Sequence, residues 1–153
     1  MRQNKDYLIH DEGEKTMTTK EYFRQVYRLE YKIRYDIEEL ASLRELATSL
    51  AAFNGDERVQ TSRNTDAPFI EAIEKITEME ELINNEVNRL IELKREVQQV
   101  ISKVDDMDER LVLKYRYLHD YTWRQIGQKL YADEKTIRRW HAKALKHVVI
   151  PQK

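Results

Sequence analysis

The sequence predicts an all-α chain: a long antiparallel helical hairpin with a coiled-coil seam, followed by a small C-terminal module of three short helices. Three observations predict it. Only three Gly and two Pro occur in 153 residues, so turns are few. Ala, Glu, Lys, Leu and Arg supply 68 of the 153 residues, close to the composition of long helices and coiled coils. Apolar residues recur every seven positions through the middle of the chain, and that pattern stops at the acidic junction Asp105-Asp106-Met107-Asp108-Glu109.

The size, 18.5 kDa, suits one ordinary domain or a small domain on an extended support. The absence of Cys excludes disulfide frameworks, Cys-ligated zinc, iron–sulfur clusters and cysteine nucleophiles. The most apolar stretch, Leu46 to Phe53, is eight residues interrupted by Thr48 and Ser49, far short of the roughly 20 needed to span a bilayer. Met1-Arg2-Gln3-Asn4-Lys5-Asp6 leads into acidic residues rather than the apolar core of a signal peptide. A cytoplasmic location and no membrane contact are the expectations.

Residues 1–17 are polar and aperiodic, which predicts a flexible N-terminal extension. Thr18-Thr19-Lys20-Glu21 has capping-box spacing and opens the first helix. Val26, Ile33, Leu40 and Ala47 form one apolar series; Tyr22, Leu29, Leu43 and Leu50 form a second, broken at Asp36. Asn54-Gly55 supplies the stop. After a connection over 54–66, Asp66-Ala67-Pro68 restarts a helix, with Asp66 as N-cap. Phe69, Ile76, Ile83, Leu90, Val97 and Val104 keep an unbroken seven-residue spacing, and Ile73, Met79, Val87, Leu93, Val100 and Ile101 fill the intervening positions. Two such helices fold back as an antiparallel hairpin over 18–104, the expected oligomerisation element. Leu82 and Ile91, with Met79 and Leu93, widen the apolar face of the second helix enough to call for a third neighbour, from the C-terminal segment or from another subunit.

Beyond the junction, residues 105–153 read as three helices. Leu111, Tyr115 and Leu118 share one face of the first. Thr122-Trp123-Arg124-Gln125 repeats the capping-box spacing and sends Trp123, Ile126 and Leu130 inward. A tight Tyr131-Ala132 turn leads to Asp133 as N-cap of a helix with Ile137, Trp140, Ala144 and Val148 inside and Lys135, Arg138, Arg139 and Lys143 outside. Helix, short turn and basic helix make a helix-turn-helix, whose second member enters the major groove. Charge points the same way. Residues 1–109 carry 16 basic and 25 acidic side chains, net −9, whereas residues 110–153 carry 11 and 3, net +8. A basic segment of that density is a footprint for a polyanion, and double-stranded DNA is the expected partner.

Asp120-Tyr121-Thr122, Ile126-Gly127, Thr136-Ile137-Arg138 and Ala142-Lys143-Ala144-Leu145 resemble region four of bacterial primary sigma factors, the module that binds the −35 promoter element. The resemblance implies that Glu134, Lys135, Arg138, Arg139 and Lys143 stand where that family contacts bases or phosphates. Glu134 and Lys135 depart in type from the primary sigma residues, and Tyr131 stands where many relatives carry Gly. Arg124, Thr136 and Lys146 complete the candidate DNA-contacting set. Met17-Thr18-Thr19-Lys20-Glu21-Tyr22 and Gly55-Asp56-Glu57-Arg58-Val59-Gln60-Thr61-Ser62, together with that module, resemble phage- or prophage-encoded regulators of Gram-positive bacteria, relatives of the autolysin regulatory protein and of late-gene activators. That resemblance implies transcriptional activation of phage late genes, acting with host RNA polymerase. Members often begin near Met17, which leaves residues 1–16 as either an extension or the product of an early start.

No catalytic, cofactor or metal site is expected, and the chain is read as a non-enzyme. The 54–66 segment lacks a Gly-rich phosphate cradle, a His and a nucleophile–base spacing. His10, His119, His141 and His147 form no HxxxH pair. Tyr27, Tyr31 and Tyr35 share a helical face; packing is the expected role, with base stacking as the competing one. Two other functions compete with regulation: a small terminase-like DNA-packaging subunit, and a structural coiled-coil interaction protein.

Overall fold

The computed structural model describes residues 16–56 and 66–151. Among the described residues the chain is all-helical: α1 Thr19–Asp56, α2 Asp66–Ser102, α3 Met107–Tyr117, α4 Trp123–Leu130 and α5 Glu134–His147. Thr18 caps α1 reciprocally with Glu21, whose amide donates to Thr18 Oγ1 at 3.2 Å while Oε2 accepts from the Thr18 amide at 2.9 Å. α1 runs through Asn54-Gly55 to Asp56, two residues past the expected stop, and α2 already includes Asp66. α2 ends at Ser102 rather than Val104, and its last turn tightens, with the Val104 amide donating to the Ile101 carbonyl at 3.0 Å. The extension over 1–15 and the connection over 57–65 lie outside the described residues.

α1 and α2 pack as the hairpin. Val26, Ile33, Leu40 and Ala47 are buried from α1, and Ile83 and Val97 from α2 with Val104 just past its end, while Phe69, Ile76 and Leu90 are half-buried in the same row. The companion row of α2 differs from the expectation. Ala72 and Glu86 occupy the seam, while their larger apolar neighbours Ile73 and Val87 stay exposed. One residue along a helix turns the side chain by about 100°, so only the position in exact heptad register faces the partner. Asp36, the apparent break, is buried in the seam. Lys32 reaches over it, donating to Asp36 Oδ2 at 2.9 Å and to Glu86 on the opposite helix. A cation between two carboxylates thus replaces one apolar layer.

The C-terminal helices pack on the open end of the hairpin. Phe23 and Tyr117 stack face to face, 4.6 Å apart and 13° from parallel. Around them Tyr22, Val26, Val97, Val100, Ile101, Val104, Leu113, Ala144 and Val148 form one continuous core that joins α1, α2, α3 and α5. Burying each large apolar side chain contributes roughly 1.5–3 kcal/mol, so this joint is a major packing site. The third neighbour of the hairpin is therefore its own C-terminal segment, but only at this end. Leu82 and Ile91 remain exposed, and a groove of about 540 Å³ between Leu43, Leu46, Met79 and Leu82 stays open farther along the hairpin. Tyr27 packs at the joint, whereas Tyr31 and Tyr35 are exposed; packing explains one tyrosine of the three.

Candidate nucleic-acid interface

The three short helices are set by local capping chemistry. Asp106 caps α3 by accepting from the Glu109 amide at 2.9 Å. Thr122 caps α4 with Gln125 in a full capping box, at 3.2 and 2.8 Å. Asp133 caps α5 by accepting from the Thr136 amide at 2.6 Å. That bond and the Thr136 hydroxyl hold the Asp133 carboxyl below its ordinary range, with Arg139 and Lys135 adding to the effect and burial opposing it.

The α4–α5 turn needs two unusual backbone features. Tyr131 closes α4 in the left-handed conformation, φ 53° and ψ 42°, where Gly is the unstrained choice. Gly127 is buried and accepts the Ala132 amide at 3.0 Å, and a Cβ there would stand 2.6 Å from the Ala132 carbonyl oxygen. The approach of the turn to α4 therefore requires that glycine. Beneath the turn, Val112, Ile126 and Ile137 are fully buried, one from each helix, ringed by Tyr115, Tyr121, Trp123, Leu130, Ala132 and Trp140.

α3 does not use the face expected for it. Its buried residues are Glu109, Val112, Leu113 and Tyr117, while Leu111, Tyr115 and Leu118 are half-buried. The helix is clamped between two cores, with Leu113 and Tyr117 in the hairpin joint and Val112 in the helix-turn-helix, so its buried stripe runs through Glu109, Val112, Leu113 and Tyr117 instead. The buried Glu109 carboxylate meets His147 Nδ1 at 2.6 Å, tying the start of α3 to the end of α5.

With Ile137 and Ala144 inside, α5 turns its basic residues outward. Lys135, Arg139 and Lys146 are exposed and share the outermost stripe with Ala142. Glu134 and Arg138 are exposed on one flank of that stripe and Lys143 on the other. Arg124 is exposed on α4, near the turn. Thr136 is half-buried, with its amide engaged in the cap. The fold thus gathers Arg124, Glu134, Lys135, Arg138, Arg139, Lys143 and Lys146 on exposed parts of α4 and α5, with Thr136 at their inner edge.

An aromatic platform supports one flank. The Arg138 guanidinium lies over the Trp123 ring, 5.4 Å from its centroid. Arg116 lies over the same ring at 4.4 Å and over Tyr27 of α1 at 5.6 Å, and it donates to the Tyr121 carbonyl at 3.0 Å. His141 packs edge-on to Trp123 at 4.7 Å and bonds the Tyr117 hydroxyl at 2.7 Å. Burial, with Arg116 and Lys20 adding positive charge, pushes His141 down to about 4, so it is neutral at physiological pH. Burial raises the Tyr117 hydroxyl to about 12, against the lowering charges of Arg116 and Arg24. Helical spacing alone sends Trp123 inward but points to neither Arg116 nor Tyr27 as its partner. Their convergence is a tertiary event with no signal in spacing.

The model of the family described as Sigma-70, region 4 matches residues 106–148, which spans all three C-terminal helices and their turns. The C-terminal module is a sigma-region-four-like, DNA-binding helix-turn-helix. No curated protein and no solved structure matches the chain. Among the described residues no group of His, Asp and Glu is arranged to hold a metal ion, and no helix is long and apolar enough to cross a membrane.

Proposed function

We propose that the chain is a sequence-specific, non-enzymatic transcriptional regulator that activates phage late genes together with host RNA polymerase. The observation that carries the reading is the match of residues 106–148 to sigma region four, on a helix-turn-helix whose second helix turns Lys135, Arg138, Arg139, Lys143 and Lys146 outward. In this reading Lys143 and Lys146 neutralise phosphates, while Arg138 and Arg139 stand where guanidinium groups reach base edges. Selecting bound fragments from host and phage genomes, with and without RNA polymerase, tests it. One shared motif enriched upstream of late genes and strengthened by polymerase is the expected result; fragments without a common sequence overturn it.

The open apolar groove at Leu43, Leu46, Met79 and Leu82 favours self-association through the hairpin and keeps a second reading in play, a ring-forming DNA-packaging subunit. Mass measurement in solution separates the two. Two to four copies fit a regulator, and eight or more fit a packaging ring.

A further inference from the structure

The joint between hairpin and module sets a second basic surface beside the helix-turn-helix. Phe23 of α1 stacks on Tyr117, the Tyr27 hydroxyl donates to the Arg116 carbonyl, and the Arg116 side chain bridges Tyr27 to Trp123 at the first turn of α4. Trp123 in turn lies under Arg138. A continuous run of packed side chains therefore connects the second and third turns of α1 to the flank of the recognition helix. Lys20 and Arg24 sit on α1 next to this run, one helical turn apart on one face. Both are exposed, and neither has an ion-pair partner among the described residues; of the other exposed hairpin cations without one, Arg28, Arg89 and Lys103, none adjoins Phe23 as Lys20 and Arg24 do. Their charges reach the module, since Lys20 acts on His141 and Arg24 on Tyr117.

In helix-turn-helix docking the first helix of the pair crosses the nucleic-acid backbone while the second lies in the groove. The backbone that meets the start of α4 then passes the α1 flank, which is one guanidinium away. We infer that Lys20 and Arg24 form an accessory phosphate clamp, extending the DNA interface from the helix-turn-helix onto α1. The inference rests on the DNA-binding reading of the module. It adds an occupant for these unpaired cations, the phosphates flanking the site read by α5. Such contacts carry affinity and register but no sequence information.

The test is the salt dependence of binding by the full chain, comparing wild type with Lys20→Gln/Arg24→Gln and with a distal control, Arg44→Gln/Lys75→Gln, on a selected site and on random duplex. Each lost phosphate contact lowers the slope of log K against log salt by about 0.9. Between 50 and 200 mM salt the wild type should therefore weaken about 12-fold more than the Lys20/Arg24 variant. The preference for the selected site and the melting temperature should stay unchanged, and the distal control should match wild type. A Lys20/Arg24 variant with the wild-type slope overturns the clamp and leaves the module reading intact. Equal slope losses in both variants also overturn it, because the effect then comes from general charge. A wild-type chain with no salt-dependent binding overturns the module reading and the clamp with it.

Discussion

Replacing Gly127 with Ala sets a steric cost against a helix-propensity gain, and the structure decides the sign. In an open helix Gly→Ala stabilises by roughly 0.5–1 kcal/mol, because Ala has less backbone freedom to lose. Here the new methyl would stand 2.6 Å from the Ala132 carbonyl oxygen, a backbone atom that moves only if the whole turn moves. The Gly127 carbonyl also holds the Ala132 amide at 3.0 Å, so the turn is pinned where the methyl pushes. Overpacking of this kind costs about 1–3 kcal/mol. The net loss is up to about 2.5 kcal/mol, which for a chain of this length lowers the melting temperature by up to about 10 °C. The displacement also shifts α5 against α4 above Ile126 and Ile137, so DNA affinity should fall more than stability does. Thermal unfolding and a binding titration on one preparation read both effects. A variant that melts at or above the wild-type temperature would refute the close approach of turn to helix.

Tyr131→Gly should act oppositely: the side chain is 97 % exposed and its backbone left-handed, so relief of about 1–2 kcal/mol of strain outweighs the entropic cost of Gly by up to about 1 kcal/mol; a lower melting temperature would show that the Tyr131 side chain makes a stabilising contact. Lys32 holds the Asp36 carboxyl below its ordinary range, and such a group stabilises the fold above its unfolded pKa and loses that contribution as pH falls through the folded value. Wild-type urea midpoints should therefore drop on acidification below about pH 4, whereas Lys32→Met, which leaves Asp36 and Glu86 facing each other, should gain stability on mild acidification; parallel pH profiles would refute the layer. On a matched and a single-mismatch site, Arg138→Ala or Arg139→Ala should relax discrimination at one base pair by roughly 1–3 kcal/mol, while Lys143→Ala weakens both sites alike. Equal losses on both sites for all three variants would reduce α5 to an electrostatic anchor.

The elements legible in the sequence are those fixed by nearest neighbours along the chain. Thr18–Glu21, Thr122–Gln125 and Asp133 cap their helices where spacing places them, because a cap closes within one turn. The seven-residue row from Phe69 to Val104 marks the seam for the same reason. Ile73 and Val87 misled because they are more apolar than Ala72 and Glu86, yet face away from the partner. Glu86 and Asp36 become intelligible only with Lys32 between them, a pairing across two helices that no single-helix periodicity contains. In the module, the outward row of α5 was visible as a pattern of charge against Ile137 and Ala144. The Arg116–Trp123–Arg138 platform was not, since it joins α3, α4 and α5 through ring faces rather than through any repeat.

The joint at Phe23 and Tyr117 changes how the two parts of the chain relate. A basic helix-turn-helix tethered by a flexible segment would sample many orientations relative to its support. Here Leu113, Tyr117, Ala144 and Val148 are buried in one core with Phe23, Val26, Val97 and Ile101, so the recognition helix is fixed to the hairpin by packing. Side chains at interior density resist small rotations because each shift loses dispersion contacts on one side and creates overlap on the other. The angle between α5 and the hairpin is consequently a property of the fold rather than of a linker. Any assembly of hairpins would carry that angle into the spacing between recognition helices, and spacing between half-sites is the geometric variable that two-fold helix-turn-helix proteins read. Cutting the chain at Asp105 would expose the α3 face that Phe23 now covers, so the module's affinity is properly measured with the hairpin attached.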